Sequence, residues 1–383
     1  MHYSRNEGAE SKENPLRPLG MEEKLKLLNE QIYYARKNST FYSYLPASPL
    51  KSLNELKDIP LISDRDIIHH GQFMICCSAG QIRRIVSMTT SGTTARPKRI
   101  AFTDSDLENT VKFFHHGMNT LCTEGDTVII FMPGNSPDGL CDLLSRGLIR
   151  FNAKPKVYSV IHDYDDAAKF CGKNSAVFVG IPIQMRRLAL LHPELKPGCA
   201  LLSADYCAPA VIRTIEEKWG CEVYVHYGMT ENGLGCAVET PARIGMIPRQ
   251  DVILETLQDG GIILTTLRRE AMPLIRYCTG DIGELTPDGR LMRVSGRKSE
   301  LSKPVSIMAL DNILLSCDGI LDYFAILDGN VLSLRLMGDK NTAYHLLRNA
   351  FNDFSFNLEE VIDLPFSGKR YVCTNDSPNK IQL

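Results

Sequence analysis

Apolar residues recur at helical spacing in the first part of the chain. Between Met21 and about Lys37 they lie three or four positions apart, at Leu25, Leu28, Ile32 and Ala35. This spacing predicts an amphipathic helix with one apolar face. Prolines interrupt the pattern from Tyr44 to Pro60, and a second short helix is predicted near Asp64 to His70.

Short apolar runs rich in β-branched residues then alternate with segments of helical spacing. One of these helices has a clear beginning, because Thr103 and Asp106 have the spacing of an N-terminal capping box. Alternating strands and helices predict an α/β fold with largely parallel strands. The predicted strands are Ile82 to Met88, Thr127 to Met132, Ala176 to Val179, Ala200 to Ser203 and Glu222 to His226.

From Asp251 onward the pattern changes to shorter strands separated by glycine turns. Strands are predicted at Val252 to Leu257, Ile262 to Thr266 and Leu291 to Val294, which indicates a β-rich subdomain. The residues after Lys298 mix helix and strand patterns. We therefore predict a flexible lead-in at 1–20, a large N-terminal domain at 21–297 and a small α+β C-terminal domain at 298–383.

Composition agrees with a globular protein and excludes several classes. Hydrophobic residues make up 44% and charged residues 23% of the 383 residues, and the formal net charge of −2 gives no general attraction to nucleic acid or anionic lipid. No apolar run is long enough to span a membrane, and residues 1–20 lack the apolar core of a secretory signal. Twelve scattered cysteines without a CxxC pair indicate reduced thiols, so we expect a cytoplasmic protein.

The sharpest local feature is a cluster of small polar residues, Met88-Thr89-Thr90-Ser91-Gly92-Thr93-Thr94-Ala95-Arg96-Pro97-Lys98. Such a segment offers backbone N–H groups and hydroxyls at close approach, and Lys98 adds a mobile positive charge. It follows a predicted strand and precedes a helix. It therefore predicts a triphosphate-binding loop. The plainer alternative is a polar surface loop, since these residue types dominate loops.

Three further segments each permit contacts with a nucleotide. Tyr227-Gly228-Met229-Thr230-Glu231 offers a tyrosine face for a purine, and a hydroxyl and a carboxylate for Mg²⁺ or phosphate. Tyr277-Cys278-Thr279-Gly280-Asp281 places a carboxylate after a glycine turn, where it can accept both hydroxyls of a ribose. In Gly296-Arg297-Lys298, Arg297 can reach a sugar or a phosphate.

In this order and at this spacing, the four segments resemble the adenylate-forming superfamily of acyl-CoA synthetases and adenylation domains. Within it the chain resembles the phenylacetate-CoA ligase branch, and the resemblance covers nearly the whole chain. Supporting segments are Tyr34 to Tyr42, Ile59-Pro60-Leu61 and Ala271 to Tyr277. The resemblance implies a large domain with mixed, mainly parallel sheets, followed by a small mobile C-terminal domain.

The resemblance also implies roles for individual residues in binding ATP. Those that would hold the β- and γ-phosphates are Thr90, Ser91, Gly92, Thr93, Thr94 and Lys98. Tyr227, followed by Gly228, would stack on adenine, and the adenine pocket would be edged by Ser203 and Ala204. Thr230 would contact the α-phosphate, and Glu231 would bind Mg²⁺. Asp281 would hold the ribose, and Arg297 would contact the ribose or a phosphate.

Enzymes of this kind use ATP, Mg²⁺ and coenzyme A to convert a carboxylic acid into acyl-AMP and then acyl-CoA. A lysine from the mobile domain normally stabilises the charge that develops when the carboxylate attacks the α-phosphate. Gly368-Lys369-Arg370 resembles the motif that supplies it, so Lys369 is the first candidate and Lys380 the second. Either could instead be a solvated surface charge. The implied substrate is an aromatic or other small acid, and relatives are often homodimers.

The sequence departs from the family pattern in four places. Ala95 stands where the phosphate loop usually has glycine, and alanine resists positive φ. Lys298-Ser299-Glu300 replaces the usual acidic hinge, and no glycine-containing CoA loop is recognisable in Lys303 to Asp311. Relatives often carry a cysteine and a histidine where Thr240 and Ile247 stand, so we predict no zinc site.

Three activities are therefore compatible with the sequence. An acyl-CoA ligase is favoured. A second enzyme class keeps adenylation but uses an amine, a protein thiol or a cofactor as acceptor, as in acyl-protein synthetases or the coenzyme F390 synthetases that attach AMP to a deazaflavin. The third is a catalytically weakened nucleotide-binding protein. His115 and His116, after the phosphate loop, either border the acid pocket or are ordinary hydrogen-bonded helix residues.

Overall fold

The computed structural model describes residues 16, 19–88, 97–172, 175–365, 368 and 370–374. The first helix, α1 (Met21–Asn38), buries the apolar face predicted from its spacing. The second, α2 (Asp64–His70), begins at a capping box between Ser63 and Asp66. Both helix predictions are confirmed.

Two antiparallel strands flank the predicted phosphate loop. β1 (Ile82–Met88) ends and β2 (Lys98–Thr103) begins at a pair of directly opposed residues, Met88 and Lys98. The sequence predicted β1 but placed a helix next. β2 was not predicted, because its apolar stretch, Ile100 to Phe102, is too short to show a period. The helix α3 (Asp104–Met118) follows it and begins, as predicted, at a capping box between Thr103 and Asp106.

A seven-stranded sheet forms the centre of the chain, in the order β4-β3-β5-β6-β7-β8-β9. The first five of these strands pair in parallel, and the last two add antiparallel. The strands are β3 (Thr127–Phe131), β4 (Lys154–Val157), β5 (Ser175–Gly180), β6 (Cys199–Leu202), β7 (Glu222–Tyr227), β8 (Ala237–Val238) and β9 (Ile247–Pro248). The connecting helices are α4 (Leu140–Ile149), α5 (Tyr164–Cys171), α6 (Pro182–Leu191) and α7 (Pro209–Trp219). The α/β prediction is confirmed, because helices cover strands buried on both faces.

The predicted β-rich subdomain is a four-stranded antiparallel sheet in sequence order. Its strands are β10 (Val252–Thr256), β11 (Gly261–Thr266), β12 (Tyr277–Leu285) and β13 (Leu291–Arg297). The prediction of Asp281 after a glycine turn is wrong, because Asp281 lies inside β12. Gly280 has φ of 79° and sits where the pairing with β11 shifts register, so it forms a bulge within the strand.

The remaining residues form their own four-stranded sheet, ordered β16-β15-β14-β17. The elements are α8 (Lys298–Leu301), α9 (Ile307–Leu314), β14 (Ile320–Asp328), β15 (Val331–Gly338), α10 (Lys340–Ala350), β16 (Ser355–Glu360) and β17 (Cys373–Thr374). A fully buried arginine of α6, Arg186, joins this region to the central one by donating to the carbonyl oxygens of Ile320 and Cys317, both at 2.8 Å. The division at 297/298 stays a prediction.

All twelve cysteines lie among the described residues and are free thiols. Burial raises the pKa of most of them, for example to about 12 for Cys76 and Cys122. Among the described residues, no helix is long and apolar enough to cross a bilayer.

Candidate active site

Strand ends and loops bring residues from all four predicted segments into direct contact. The segment at 227–231 touches the segment at 277–281 through two separate hydrogen bonds, and Arg297 at the end of β13 touches Asp281. Lys98, the last residue of the first segment, contacts Glu231. Residues distant in sequence are therefore collected at one place, where β7 ends and β12 passes.

Asp64, Lys98, Glu231 and Tyr277 form a polar group that we call the Lys98 cluster. The Lys98 ammonium donates to Asp64 Oδ1 at 2.8 Å, to Glu231 Oε1, and to the Tyr277 hydroxyl at 3.3 Å. The Tyr277 hydroxyl in turn donates to Asp64 and, at 3.2 Å, to Glu231. Burial, and then the negative charges of Glu231 and Asp64, raise the pKa of Tyr277 far above its ordinary value, which keeps the hydroxyl protonated.

The expectation that Lys98 is a mobile positive charge is wrong. Lys98 begins β2, is only 5% exposed, and is held by two carboxylates. It lies opposite Met88 in the strand pair, and its side chain reaches Glu231. Two carboxylates against one ammonium leave the cluster with one excess negative charge.

A second polar group, which we call the Asp281 triad, consists of Tyr227, Asp281 and Arg297. The Tyr227 hydroxyl donates to Asp281 Oδ2 at 2.8 Å, and Arg297 Nε lies 3.2 Å from Asp281 Oδ1. Burial, and then Asp281, raise the pKa of Tyr227 well above its ordinary value. The triad places a carboxylate, an aromatic face and a guanidinium side by side.

Backbone geometry around the triad demands particular residues. A Cβ at Gly228 would lie 1.9 Å from the carbonyl oxygen of Leu234, so only glycine fits there. Ala204, after β6, has φ of 76°, a conformation that a residue with a Cβ rarely adopts. Thr230 is half-buried and begins a 3₁₀ turn, Thr230–Asn232.

A narrow apolar cavity of about 30 Å³ is lined by His226 and Ser203, which precede Tyr227 and Ala204 in the chain. Its walls come from α3, α4 and the strands β5, β6 and β8, and include Phe113, Phe114, Met118, Val179, Leu201 and Val238. The lining of this cavity does not include His115 or His116, for which a place at the acid pocket was one of two alternatives. The 3.6-residue period turns 113, 114, 117 and 118 inward and 115 and 116 away; the His115 ring instead packs on His116 and on Phe151.

Two polar residues, Ser203 and His226, are among those that line the cavity. Ser203 Oγ and His226 Nδ1 are 2.8 Å apart, while His226 Nε2 is buried and has no hydrogen-bond partner among the described residues. Burial, and then the nearby charge of Arg249, lower the pKa of His226 to about 4. The imidazole is therefore neutral at physiological pH.

Buried side chains that no motif identifies hold the turn at 230–235 in place. Arg269 donates to the carbonyl oxygen of Glu231 at 3.1 Å, and its guanidinium lies 4.2 Å from the centre of the Phe102 ring. Arg249 donates to Gly235 O at 3.1 Å, and Thr110 Oγ1 donates to Gly233 O at 2.8 Å. Single arginines and threonines carry no spacing signal, so sequence reasoning missed them.

Asp106 fixes the same region from the start of α3. Besides capping the helix, its carboxylate accepts the backbone N–H groups of Glu270 and Ala271 at 2.8 and 3.0 Å. Arg269 Nε lies 3.8 Å from Asp106 Oδ2. A capping residue recognised in the sequence thus also anchors the loop that supports Glu231.

Several predicted site residues lie outside the described residues. They are the phosphate-loop residues Thr90, Ser91, Gly92, Thr93, Thr94 and Ala95, and both candidate lysines, Lys369 and Lys380. Their roles stay predictions. Within the described part, Lys298 pairs with Asp259 at 2.6 Å and begins α8, and Lys303 donates to Val372 O at 2.8 Å.

Carboxylates in the Lys98 cluster could hold a divalent cation. Mg²⁺ in nucleotide sites takes one or two carboxylates, and the substrate phosphates and water supply its other ligands. Glu231 and Asp64 offer this donor set, and their excess negative charge would be balanced by a cation. Among the described residues no group of three or more histidine, cysteine or acidic side chains is arranged to hold a metal by itself.

Comparison with known proteins identifies relatives in sequence and in fold, although no family model matches the chain. A phenylacetate-coenzyme A ligase from Thermus thermophilus is 23% identical over 299 residues, which cover 69% of this chain and 66% of that relative, slightly less than two thirds of its length. A 2-hydroxyisobutyryl-CoA ligase in complex with R3-HIB-AMP, in the postadenylation state, has TM-score 0.75 and 18% identity over 97% of this chain and 93% of its own.

Two more solved structures show the same architecture. The 2-hydroxyisobutyryl-CoA ligase with 2-HIB-AMP and CoA, in the thioesterification state, has TM-score 0.65 and 19% identity over 98% of this chain and 95% of its own. An anthranilate CoA ligase with anthranoyl-AMP has TM-score 0.52 and 14% identity over 74% of this chain and 65% of its own. This chain therefore has the fold of the adenylate-forming acyl-CoA ligases, and it is related in sequence to a phenylacetate-CoA ligase.

Proposed function

We propose that this chain is an AMP-forming acid–thiol ligase that uses ATP and Mg²⁺ to join a small carboxylic acid to coenzyme A. The observation that carries the proposal is the meeting of Tyr227, Glu231, Asp281 and Arg297 beside an apolar cavity. A nucleotide needs contacts to base, sugar and phosphate, and an acyl group needs an apolar recess. The relatives named above are acyl-CoA ligases, which supports the same chemistry here.

The first half-reaction would join the acid to AMP. A carboxylate oxygen attacks the α-phosphorus of ATP, the bond to the β-phosphate oxygen breaks, and pyrophosphate leaves. Asp281 would accept the ribose hydroxyls, Tyr227 would face adenine with Ser203 and Ala204 at its edge, and Arg297 would contact the ribose or a phosphate. Such fixed groups matter because they stabilise developing charge without reorganisation.

The negative charge of the phosphates would be neutralised at the other end of the site. Mg²⁺, when bound, neutralises phosphate oxygens and so allows one anion to approach another. Glu231, and with it Asp64, would hold this ion, and Thr230 would contact the α-phosphate. Lys98 would position Glu231 through their buried ion pair. Thr90, Ser91, Gly92, Thr93 and Thr94 are proposed to bind the β- and γ-phosphates.

The second half-reaction would transfer the acyl group. The thiolate of CoA attacks the acyl carbon, the bond to the phosphate oxygen breaks, and AMP leaves. An acceptor other than CoA is the second candidate, motivated by one observation: 303–311 contains no glycine, and α9 begins at Ile307 within it. We propose that the enzyme acts in the cytoplasm.

The test is acid-dependent exchange of pyrophosphate into ATP over a panel of aryl, fatty, hydroxy and amino acids, each with and without CoA. We expect exchange with at least one acid in the absence of CoA, and thioester only in its presence. Exchange without thioester would favour another acceptor. Absence of exchange with every acid, together with no ATP binding by calorimetry, would contradict the proposal.

Separate alanine variants of Lys369 and Lys380 locate the catalytic lysine. The variant that lacks it should lower exchange by about 10²–10³-fold, the usual effect of removing one preorganised charge-stabilising group. The other variant serves as its matched control. Equal rates in both variants and the wild type would show that neither lysine acts.

A further inference from the structure

The apolar cavity lies at the edge of the central sheet where ligands bind in α/β folds. Met132 directly follows β3, and the last residue but one of β5, β6 and β7 is Val179, Leu201 and His226 respectively. All four residues line the cavity, and these four strands run in parallel. Open α/β sheets bind their ligands at the carboxyl ends of the strands. The cavity is therefore placed to receive the acyl group.

Two rings of α3, Phe113 and Phe114, form a wall of the cavity that is backed by closely packed neighbours. The Phe113 ring lies so near Gly235 that a Cβ added to this glycine would be 2.5 Å from the ring. The Arg249 guanidinium lies 5.6 Å from the centre of the same ring. The helix α4 approaches so closely that a Cβ added to Gly147 would be 3.0 Å from Phe114 Cβ. Little space is left into which either ring could withdraw.

The volume of the cavity sets the size of the group that enters it. The cavity measures about 30 Å³. One water-sized group needs about 10–15 Å³, so two or three such groups fit. A cavity that is known to admit benzene measures about 150 Å³. A phenyl ring therefore does not fit here without displacing a wall.

The chemistry of the lining indicates which kind of small group belongs there. Ten of the twelve lining residues are apolar side chains or glycine, and the other two, Ser203 and His226, are paired with each other at 2.8 Å. An alkyl group gains free energy when it leaves water for such surroundings. Met118 and Met132 can adapt their shape to a straight or a branched chain. A short alkyl chain thus matches the cavity in size and in polarity.

On the basis of the proposed ligase activity, we infer that the substrate is a short aliphatic acid. It has about two or three carbons beyond the carboxylate, as propionate, butyrate and isobutyrate do. Phe113 and Phe114 are the residues that exclude aromatic rings and longer chains. The substrate class therefore differs from that of the relative in sequence, which is a phenylacetate-coenzyme A ligase.

The test compares short aliphatic acids with larger ones. The full chain is assayed by acid-dependent exchange of pyrophosphate into ATP, and kcat/KM is measured for propionate, butyrate, isobutyrate, benzoate, phenylacetate and octanoate. A hydrophobic pocket discriminates by about 10–200-fold for a difference of one methylene. We expect the best short acid to be preferred over phenylacetate and over octanoate by about 100-fold or more.

Shortening one ring tests whether this wall sets the limit. Phe114→Ala leaves a space the size of a benzene ring beside the cavity, so the phenylacetate-to-butyrate ratio of kcat/KM should rise by about 10-fold or more. Phe114→Leu leaves a smaller space and should raise the ratio less. The matched control is Phe151→Ala, which removes a ring that packs on His115 and does not line the cavity. It should leave the ratio as in the wild type.

The outcomes distinguish this inference from the proposed function. A wild type that prefers any acid outside the short aliphatic class, or a ratio that Phe114→Ala does not change, overturns the size limit and leaves the ligase assignment intact. No exchange with any acid, including the hydroxy and amino acids of the broader panel, overturns both. If Phe114→Ala does not fold, the wild-type preference and Phe114→Leu still decide the question.

Discussion

At the scale of single residues, Lys98 and Glu231 form an ion pair whose side chains are only 7% and 8% exposed. Burying two charges is costly, and the cost is offset only while both partners are present. Tyr277 adds hydrogen bonds to both groups. The pair therefore gives the site a fixed geometry, which is lost if one partner alone is removed.

We expect Lys98→Met to lower the free energy of unfolding by about 3–5 kcal/mol, because it leaves the buried carboxylate of Glu231 without its counter-charge. The double variant Lys98→Met/Glu231→Gln should recover most of this loss. Urea unfolding of the two single variants, the double variant and the wild type measures the coupling. Coupling below about 0.5 kcal/mol would mean that the two side chains act independently.

Sequence reasoning found the residues that belong to motifs and missed those that pair with them. Tyr227, Glu231 and Asp281 were recognisable because neighbouring residues form recurring segments. Asp64 and His226 stand at a helix start and a strand end without any such signal, and only tertiary packing brings them to the site. The buried state of Lys98 was equally hidden, because a lysine in a polar segment usually lies in water.

At the scale of elements, the capping boxes of α2 and α3 both have an aspartate as the third residue of the helix, but the two aspartates have different surroundings. Asp66 caps α2 and is half-buried. Asp106 caps α3, is 1% exposed, and also accepts two backbone N–H groups from the loop at 270–271. The same sequence signal therefore contributes differently to stability.

Replacing each aspartate by alanine tests this difference. Asp66→Ala should cost about 1 kcal/mol, the ordinary value of a helix cap. Asp106→Ala should cost about 4 kcal/mol, because it also leaves buried backbone N–H groups without acceptors. Thermal and denaturant unfolding measure the free energy of unfolding of both variants. Similar losses in the two variants would show that the contacts to 270–271 contribute little.

The strands were predictable to different degrees. In the central sheet, β3, β5, β6 and β7 are mainly apolar runs between turn residues, and each was found within a residue or two, whereas β4, β8 and β9 were not predicted. β2 and β12 were missed, since the first is short and the second contains Gly280, which suggested a turn. A glycine bulge inside a strand and a glycine turn look alike in sequence, because both need the same backbone conformation.

At the scale of the whole molecule, Arg370 links the end of the chain to two other regions. Its guanidinium pairs with Asp311 and lies 3.6 Å from Asp322, and its backbone N–H donates to Asp205 at 3.4 Å. Asp205 follows the proposed adenine-edge residues, and Lys369 precedes Arg370 in the chain. The sequence predicted a catalytic lysine in this segment but gave no sign that the neighbouring arginine, with a side chain 12% exposed, is held by carboxylates.

We expect Arg370→Met to destabilise the protein by about 3–5 kcal/mol, because three carboxylates lose a shared counter-charge. Amide hydrogen exchange should rise in residues 370–374, whose order depends on this anchor. Arg370→Met/Asp311→Asn should recover part of the loss. The control is Arg335→Met, which removes a partly exposed pair with Glu359 and should change stability by less than about 1 kcal/mol.

The loss of stability in Arg370→Met should also depend on pH. Burial, partly opposed by Arg370, raises the pKa of Asp205 to about 6 in the folded protein. The folded state therefore binds more protons than the unfolded chain, so this group's contribution to stability falls as the pH rises from the unfolded pKa to about 6. Without Arg370 the pKa rises further, and the fall should continue above pH 6. A pH-independent difference from the wild type would contradict this account.

Thiol chemistry offers a practical consequence of the way the cysteines are placed. Alkylating dyes react with thiolates, and burial disfavours the thiolate in Cys76, Cys122, Cys171, Cys199 and Cys236, each with a pKa of about 12. A new cysteine at Ile362, which is 97% exposed, would be labelled far faster than these. A fluorophore can thus be attached at position 362 while these five buried thiols stay unlabelled.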